Sequence, residues 1–136
     1  IASCLVGSEM CIRDRITTGV ANNCEYTIQA HAFIALAKGV DEAVVDALAH
    51  EPSRLNTNLL ALHNFTLEVI HCRGRLSKSA IEAVLQAGFS KQSMLDVILG
   101  VSQKNMSTIL NSIACTKIDE RFKWDSFQGL KQTAEA

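Results

Sequence analysis

The chain has 136 residues and a formal net charge of −1, and 48 % of its residues are apolar. This length suits a single domain, and the balanced charge gives nothing that would attract nucleic acid or an acidic membrane surface. No apolar run reaches the roughly 18 residues of a membrane span. Ala, Leu, Ile and Val dominate between regularly placed glycines, and there is one proline, so the composition favours an all-α fold.

The N-terminal segment differs in character from the rest of the chain. Residues 5–14 resemble translated sequencing-adapter read-through, which contaminates the ends of gene sequences assembled from short reads. A signal peptide fits badly, because polar residues interrupt the apolar stretch. We therefore predict a non-native leader over 1–15 and a single domain over 16–136, and we assign no function to Cys4 or Cys11.

One predicted helix carries the most chemistry, and it extends from Asn22 to Gly39. Asn22 or Asn23 can cap its first turn, because an Asn side-chain oxygen accepts from the free N–H groups there. Gly39 can end it, because the residue after a helix often takes the left-handed conformation that costs Gly little.

Three polar side chains of this helix, Cys24, Thr27 and His31, share one face because they are spaced by three and four residues. Cys24 lies in the first turn, where the helix dipole and free N–H groups favour a thiolate. His31 lies roughly 10 Å further along the axis, so we expect no direct contact between it and Cys24. Thr27 lies between them and can form hydrogen bonds, but it has no redox chemistry.

The segment Cys-Glu-Tyr-Thr-Ile-Gln-Ala-His resembles the active-site helix of the alkyl hydroperoxidase D-like, or carboxymuconolactone decarboxylase, superfamily, whose pattern is Cys-x-Tyr-Cys-x-x-x-His. Further segments match the family in order and spacing, from about residue 19 to about residue 125: Gly39–Glu42, Arg73–Ser77, Ala87–Ser90, Lys104–Asn111 and Ile118–Asp119. The chain departs from the pattern where the second Cys is Thr27, a helix Asn is Thr108 and a following His is Ser112.

A fourth departure concerns a carboxylate. The family usually places a Glu about three helical turns before the first Cys, and that position falls near Ile12, inside the predicted leader. Asp14 is the nearest carboxylate, and we expect it to be a poor substitute.

The resemblance implies an all-α bundle of about six helices in antiparallel hairpins, assembled as a homotrimer or homohexamer. We expect no cofactor, and no metal either, because no Cys/His spacing matches a zinc module. The resemblance also implies a thiol-dependent peroxidase of the peroxiredoxin type. Cys24 would be the redox thiol, and His31 would act as acid or base through Thr27 or a water. A peroxide would oxidise Cys24 to a sulfenic acid, which a thiol reductant of unknown identity must reduce.

Two alternatives remain open. Thr27 excludes the usual disulfide within the motif, so the chain could be a degenerate member of the fold that binds a small ligand or serves as a structural oligomer. A lactone decarboxylase is the other alternative, because those enzymes do not depend on the Cys pair.

The remaining cysteines and histidines predict structural roles. The five cysteines are odd in number and contain no Cys-x-x-Cys, so we expect a reducing cytoplasm and no disulfide framework. Cys72 and Cys115 are expected to be small buried hydrophobes. His63 and His71 are too far apart on one helix to share a metal, and His50 is expected to interact with a helix dipole.

Helix periodicity and cap residues predict further helices over residues 42–50, 55–72, 77–88 and 91–114, with Asp41, Ser77 and Ser90 as caps. The aromatic residues of the tail, Phe122, Trp124 and Phe127, are expected to pack on the domain or on a neighbouring subunit.

Overall fold

The computed structural model describes residues 8–129 and contains, in that range, six α-helices, two short 3₁₀-helices and no strand. The prediction of an all-α fold with about six helices is confirmed. The helices are α1 Ser8–Ala21, α2 Glu25–Ala37, α3 Glu42–His50, α4 Thr57–Cys72, α5 Lys78–Gln86 and α6 Lys91–Ala114, with the 3₁₀-helices at Pro52–Arg54 and Glu120–Phe122.

Three of the helix starts follow the predicted cap residues. The Asp41 carboxylate accepts from the Ala43 N–H, and Ser77 and Ser90 cap α5 and α6 in the same manner. The start of α4 differs from the prediction, because Pro52 begins a 3₁₀ turn and Asn56 then caps the helix. These local bonds fix where each helix begins and therefore which face it buries.

The helix α1 is central, since it packs against α2, α3, α4 and α6. Ile12 and Ile16 join an apolar cluster with α2, α3 and the buried ring of Trp124. A second cluster around Phe65 fills the space between α4, α5 and α6. The predicted boundary between residues 15 and 16 falls within α1, and the division into leader and domain stays a prediction.

The close approach of α1 to α2 depends on Gly19. A Cβ at this position would lie 3.0 Å from the Thr27 Cγ2 and 3.2 Å from the Ile28 backbone nitrogen. Because the backbone cannot move aside cheaply, only Gly lets α1 lie this near the first turn of α2. Gly19 therefore sets the position of Thr27 relative to the rest of the molecule.

The aromatic tail packs on the domain, as predicted. The Trp124 backbone N–H donates to the Gln29 side-chain oxygen at 3.1 Å, and its ring stacks on His50 with centroids 5.5 Å apart. Phe127 packs on the His50 ring, and the rings of Phe122 and Phe33 meet edge-on. These contacts bring the C-terminal segment against α2 and α3.

The exposure of two cysteines differs from the prediction. The expectation that Cys72 and Cys115 are buried is wrong, because both are exposed. Cys72 is the last residue of α4 and Cys115 follows α6 in a left-handed conformation, so the chain is leaving the packed core at both positions.

Within the described residues, no helix is both long enough and apolar enough to cross a membrane.

Candidate active site

The turn between α1 and α2 is closed by backbone bonds rather than by an Asn cap. Cys24, not Asn22 or Asn23, is the N-cap of α2, and its N–H donates to the Gly19 carbonyl at 2.9 Å. Asn23 takes a left-handed conformation with φ of 50° in the turn. The predicted Asn cap is therefore wrong, and the Cys24 side chain lies directly at the helix N-terminus.

Asn22 performs a different task. Its amide donates to the Asn105 side-chain oxygen at 2.7 Å and to the Thr108 hydroxyl at 2.9 Å. Both partners lie on α6, more than eighty residues away in sequence. Asn22 therefore ties the turn before Cys24 to the middle of α6.

The structure brings two of the three predicted site residues into contact. The Cys24 Sγ lies 3.3 Å from the Thr27 Oγ1, a hydrogen bond in which either atom can donate. Cys24, Thr27 and His31 are all buried, with 5 %, 2 % and 7 % of their surfaces exposed. The His31 Nδ1 has no hydrogen-bond partner among the described residues. The shared face thus holds a thiol–hydroxyl pair with a buried imidazole further along.

His31 is neutral at neutral pH. Burial, together with the positive charges of Lys104 and Arg15, lowers the pKa of its imidazole from 6.5 to about 3. A neutral imidazole can accept or donate one hydrogen bond, but it carries no positive charge for a thiolate.

Lys104 carries one of the positive charges near Cys24 and His31, and the sequence patterns predicted no functional role for it. Burial and the nearby Arg15 lower the pKa of Lys104, while Cys24 acts in the opposite sense. The ammonium therefore lies within electrostatic reach of both Cys24 and His31. Arg15 also reaches α6, where it donates to the Gln103 side chain at 3.3 Å.

A sequence signal for Lys104 does exist. Lys104 is in helical register with Val97, Val101 and Thr108, which are among the buried residues of α6. A lysine in register with buried residues is unusual, because burying a charge without a partner is costly. That spacing marks Lys104 as a residue whose charge faces the interior of the domain.

The position near Ile12, where the resemblance implies a Glu, is apolar in this chain. Ile12 is 2 % exposed and lies in the apolar core. The Asp14 carboxyl faces α4 and α6, accepts from the Thr66 hydroxyl at 3.3 Å, and has no hydrogen bond to Cys24 or His31. Its surroundings raise its pKa to about 7, mainly through burial.

Two of the other histidines, His50 and His63, have structural partners. The His63 Nδ1 lies 3.1 Å from the Thr17 hydroxyl, and burial lowers the pKa of His63. His50 hydrogen-bonds Asp46 at 2.8 Å in addition to stacking on the tail. In the part of the chain that is described, no group of three or more His, Cys, Asp or Glu side chains could hold a metal ion.

The comparisons with known proteins match this chain to a solved structure, but not to a protein family or a curated protein. No protein-family model matches the chain, and no curated protein matches it. Among solved structures, the chain is similar to the alkylhydroperoxidase AhpD core of an uncharacterized peroxidase-related protein from Ralstonia eutropha JMP134, with a TM-score of 0.79 and 18 % sequence identity. The match covers 86 % of this chain but 63 % of that one, less than two thirds of its length. The chain therefore has the alkylhydroperoxidase D-like fold.

Proposed function

We propose that the chain is a member of the alkyl hydroperoxidase D-like superfamily and acts as a thiol-dependent peroxidase with Cys24 as its redox thiol. The observation that carries the proposal is the setting of Cys24. Its sulfur lies at the N-terminus of α2, 3.3 Å from the Thr27 hydroxyl and within electrostatic reach of Lys104. All three features stabilise an anion. The similarity of the fold supports the same assignment.

The reaction follows from this setting. The Cys24 thiolate attacks the terminal oxygen of a hydroperoxide, so an S–O bond forms while the O–O bond breaks. The leaving alkoxide takes up a proton from water, which replaces the proton that the thiol lost to solvent, and departs as an alcohol, while Cys24 becomes a sulfenic acid. The Thr27 hydroxyl donates to the thiolate, and the Lys104 ammonium stabilises the developing alkoxide charge.

His31 acts as a neutral group in this scheme. Its buried imidazole, with a pKa of about 3, accepts a proton only transiently. We assign it the role of orienting the Thr27 hydroxyl through a water toward the Cys24 sulfur. This hydrogen-bonding role replaces the general acid that a positively charged histidine would provide.

The sulfenic acid is reduced from outside the chain. Thr27 cannot form a disulfide, and Cys72 and Cys115 are exposed at the ends of α4 and α6. One external thiol attacks the Cys24 sulfenic acid, giving a mixed disulfide and water, and a second thiol then releases Cys24 with formation of the external disulfide. The reducing cytoplasm supplies such thiols.

One observation favours a second candidate function. No hydrogen bond joins His31 to Thr27 or Cys24 within the described residues, so His31 makes no direct contact that would orient either side chain. A degenerate family member that binds a small ligand would tolerate the absence of this hydrogen bond.

Sulfenic-acid labelling after a short hydroperoxide pulse distinguishes the two functions. We expect Cys24 to be labelled at least about 10-fold faster than the exposed Cys115, which serves as an ordinary thiol within the same molecule. Cys24→Ser should remove the fast labelling, His31→Ala should slow it, and Cys115→Ser should leave it unchanged. Labelling of Cys24 no faster than that of Cys115 would overturn the peroxidase and favour the ligand-binding function.

A further inference from the structure

The long helix α6 presents an apolar face to solvent. Large apolar side chains along it are between 39 % and 77 % exposed: Leu95, Ile98, Leu99, Met106, Ile109, Leu110 and Ile113. The opposite, buried face consists of smaller or more polar residues, namely Val97, Gly100, Val101 and Thr108. The exposed side of α6, called the outer face below, is therefore more apolar than the side that packs in the core.

The outer face is unlike an ordinary solvated surface. At 100° per residue its apolar side chains fall within an arc of roughly 120°, and no charged residue interrupts that arc between Leu95 and Ile113. Together they expose on the order of 700 Å² of apolar surface, above the roughly 300–600 Å² of the largest patch on a typical monomer. A patch of this size marks a site of association.

We propose that the outer face pairs in antiparallel orientation with the outer face of a second copy of this chain. Positions 95, 99, 102, 106, 109 and 113 follow one another in steps of four, three, four, three and four residues, which is the spacing of a coiled-coil seam. This series of steps is the same in both directions. Two copies of the helix can therefore pair about a two-fold axis beside residue 104 with the seams in register.

The residues that face one another across the two paired helices are compatible in size and charge. Leu95 of one copy meets Ile113 of the other, Leu99 meets Ile109, and the small Ser102 meets the long, flexible Met106. The antiparallel arrangement also brings Lys91, at the start of one helix, near the C-terminal carbonyl groups of the other. A cation is favoured at that helix end.

The available area suits a second copy as the partner. A stable interface buries roughly 800 Å² on each side, and the outer face alone supplies most of that. A two-fold interface must be self-complementary, and the symmetric spacing of the seam meets this condition. Such a pair is compatible with a homohexamer but not with a homotrimer alone.

The pairing leaves the candidate active site open, because Lys104 lies on the inner side of α6 and the outer face lies opposite. Asn22 holds that inner side through Asn105 and Thr108. A second copy on the outer face would fix the helix that borders Cys24 without covering the thiol. The pairing depends on α6 alone and is therefore independent of the peroxidase proposal.

Sedimentation equilibrium of the full chain tests the pairing. We expect a dimer or an even multiple at about 100 µM, and the double variant Met106→Glu/Ile109→Glu should raise the dissociation constant at least about 100-fold. Leu85→Glu is the matched control, because Leu85 is 40 % exposed on α5, outside the outer face. Circular dichroism checks that each variant is folded. A monomeric wild-type chain, or equal loss of association in Leu85→Glu, would overturn the proposal.

Disulfide trapping tests the orientation even if the charged variant fails to fold. In a chain whose other cysteines except the buried Cys24 are replaced by Ser, the single variants Ser102→Cys and Met106→Cys are mixed and oxidised. Antiparallel pairing predicts cross-links between position 102 of one copy and position 106 of the other in excess of 102–102 cross-links. Predominant 102–102 cross-links, or none at either position, would overturn the arrangement.

Discussion

The buried carboxyl of Asp14 makes the stability of this protein depend on pH. Asp14 is 2 % exposed, with one oxygen 3.3 Å from the Thr66 hydroxyl and the other facing Gly100 without a hydrogen-bond partner. Burial raises the pKa of Asp14 from 3.8 to about 7, although Thr66 and the flanking arginines oppose this shift. The folded protein therefore keeps the Asp14 proton over a pH range in which the unfolded chain has lost it.

The size and the pH dependence of the Asp14 contribution to stability follow from the difference between its folded and unfolded pKa values. A gap of about 3 pKa units, at about 1.4 kcal/mol each, gives about 4 kcal/mol. Because the folded pKa is raised, this stability is fully present below pH 3.8 and is lost as pH rises through about 7. Asp14→Asn stays neutral and shows no such loss. We expect it to exceed the wild type in free energy of unfolding by up to about 4 kcal/mol at pH 8, and to equal it near pH 4.

Urea denaturation followed by circular dichroism, at several pH values from about 4.5 to 8, measures this difference directly. Asp125→Asn is the control, because it removes an exposed carboxylate and should leave the difference from wild type constant. If the difference in free energy of unfolding between Asp14→Asn and wild type fails to widen as pH rises, burial does not destabilise the charged form of Asp14 as the structure implies. That result would refute the reasoning.

Three further changes probe the site and its frame. Lys104→Met should slow alkylation of Cys24 about 10-fold at neutral pH, because it removes the ammonium that stabilises the thiolate; an unchanged iodoacetamide rate would remove Lys104 from the site. Gly19→Ala should lower the free energy of unfolding by about 1 to 2 kcal/mol, since its Cβ would press on Thr27, whereas a stability gain would show that α1 can shift at little cost. Phe65→Ala should cost about 3 to 5 kcal/mol, measured by urea denaturation, and a loss under about 1 kcal/mol would contradict its place in the core.

The parts of the structure that the sequence predicts are those set by local chemistry. Asp41, Ser77 and Ser90 cap their helices because each side chain bonds a backbone N–H two or three residues away. The spacing of Cys24 and Thr27 is likewise local: it predicts that they share one face, and their side chains are in hydrogen-bond contact. Such features depend on the order of neighbouring residues, so they can be derived from it.

The features that the sequence does not predict depend on distant partners. Asn22 fails to cap α2 because α6 captures its amide, and a helix-start pattern contains no information about that competition. The charge environment of His31 likewise comes from Lys104, which lies far along the chain. The apolar stripe of α6 predicts a helix, but periodicity does not distinguish a core-facing stripe from an outward one such as that of Met106.

Hydroperoxide turnover by the full chain with dithiothreitol as reductant tests the central claim most directly. The one-cysteine mechanism predicts multiple turnovers that disappear in Cys24→Ser and persist when both Cys72 and Cys115 are replaced by Ser. Turnover that survives in Cys24→Ser, or its absence in the folded wild-type chain, would contradict the assignment of Cys24 as the redox thiol.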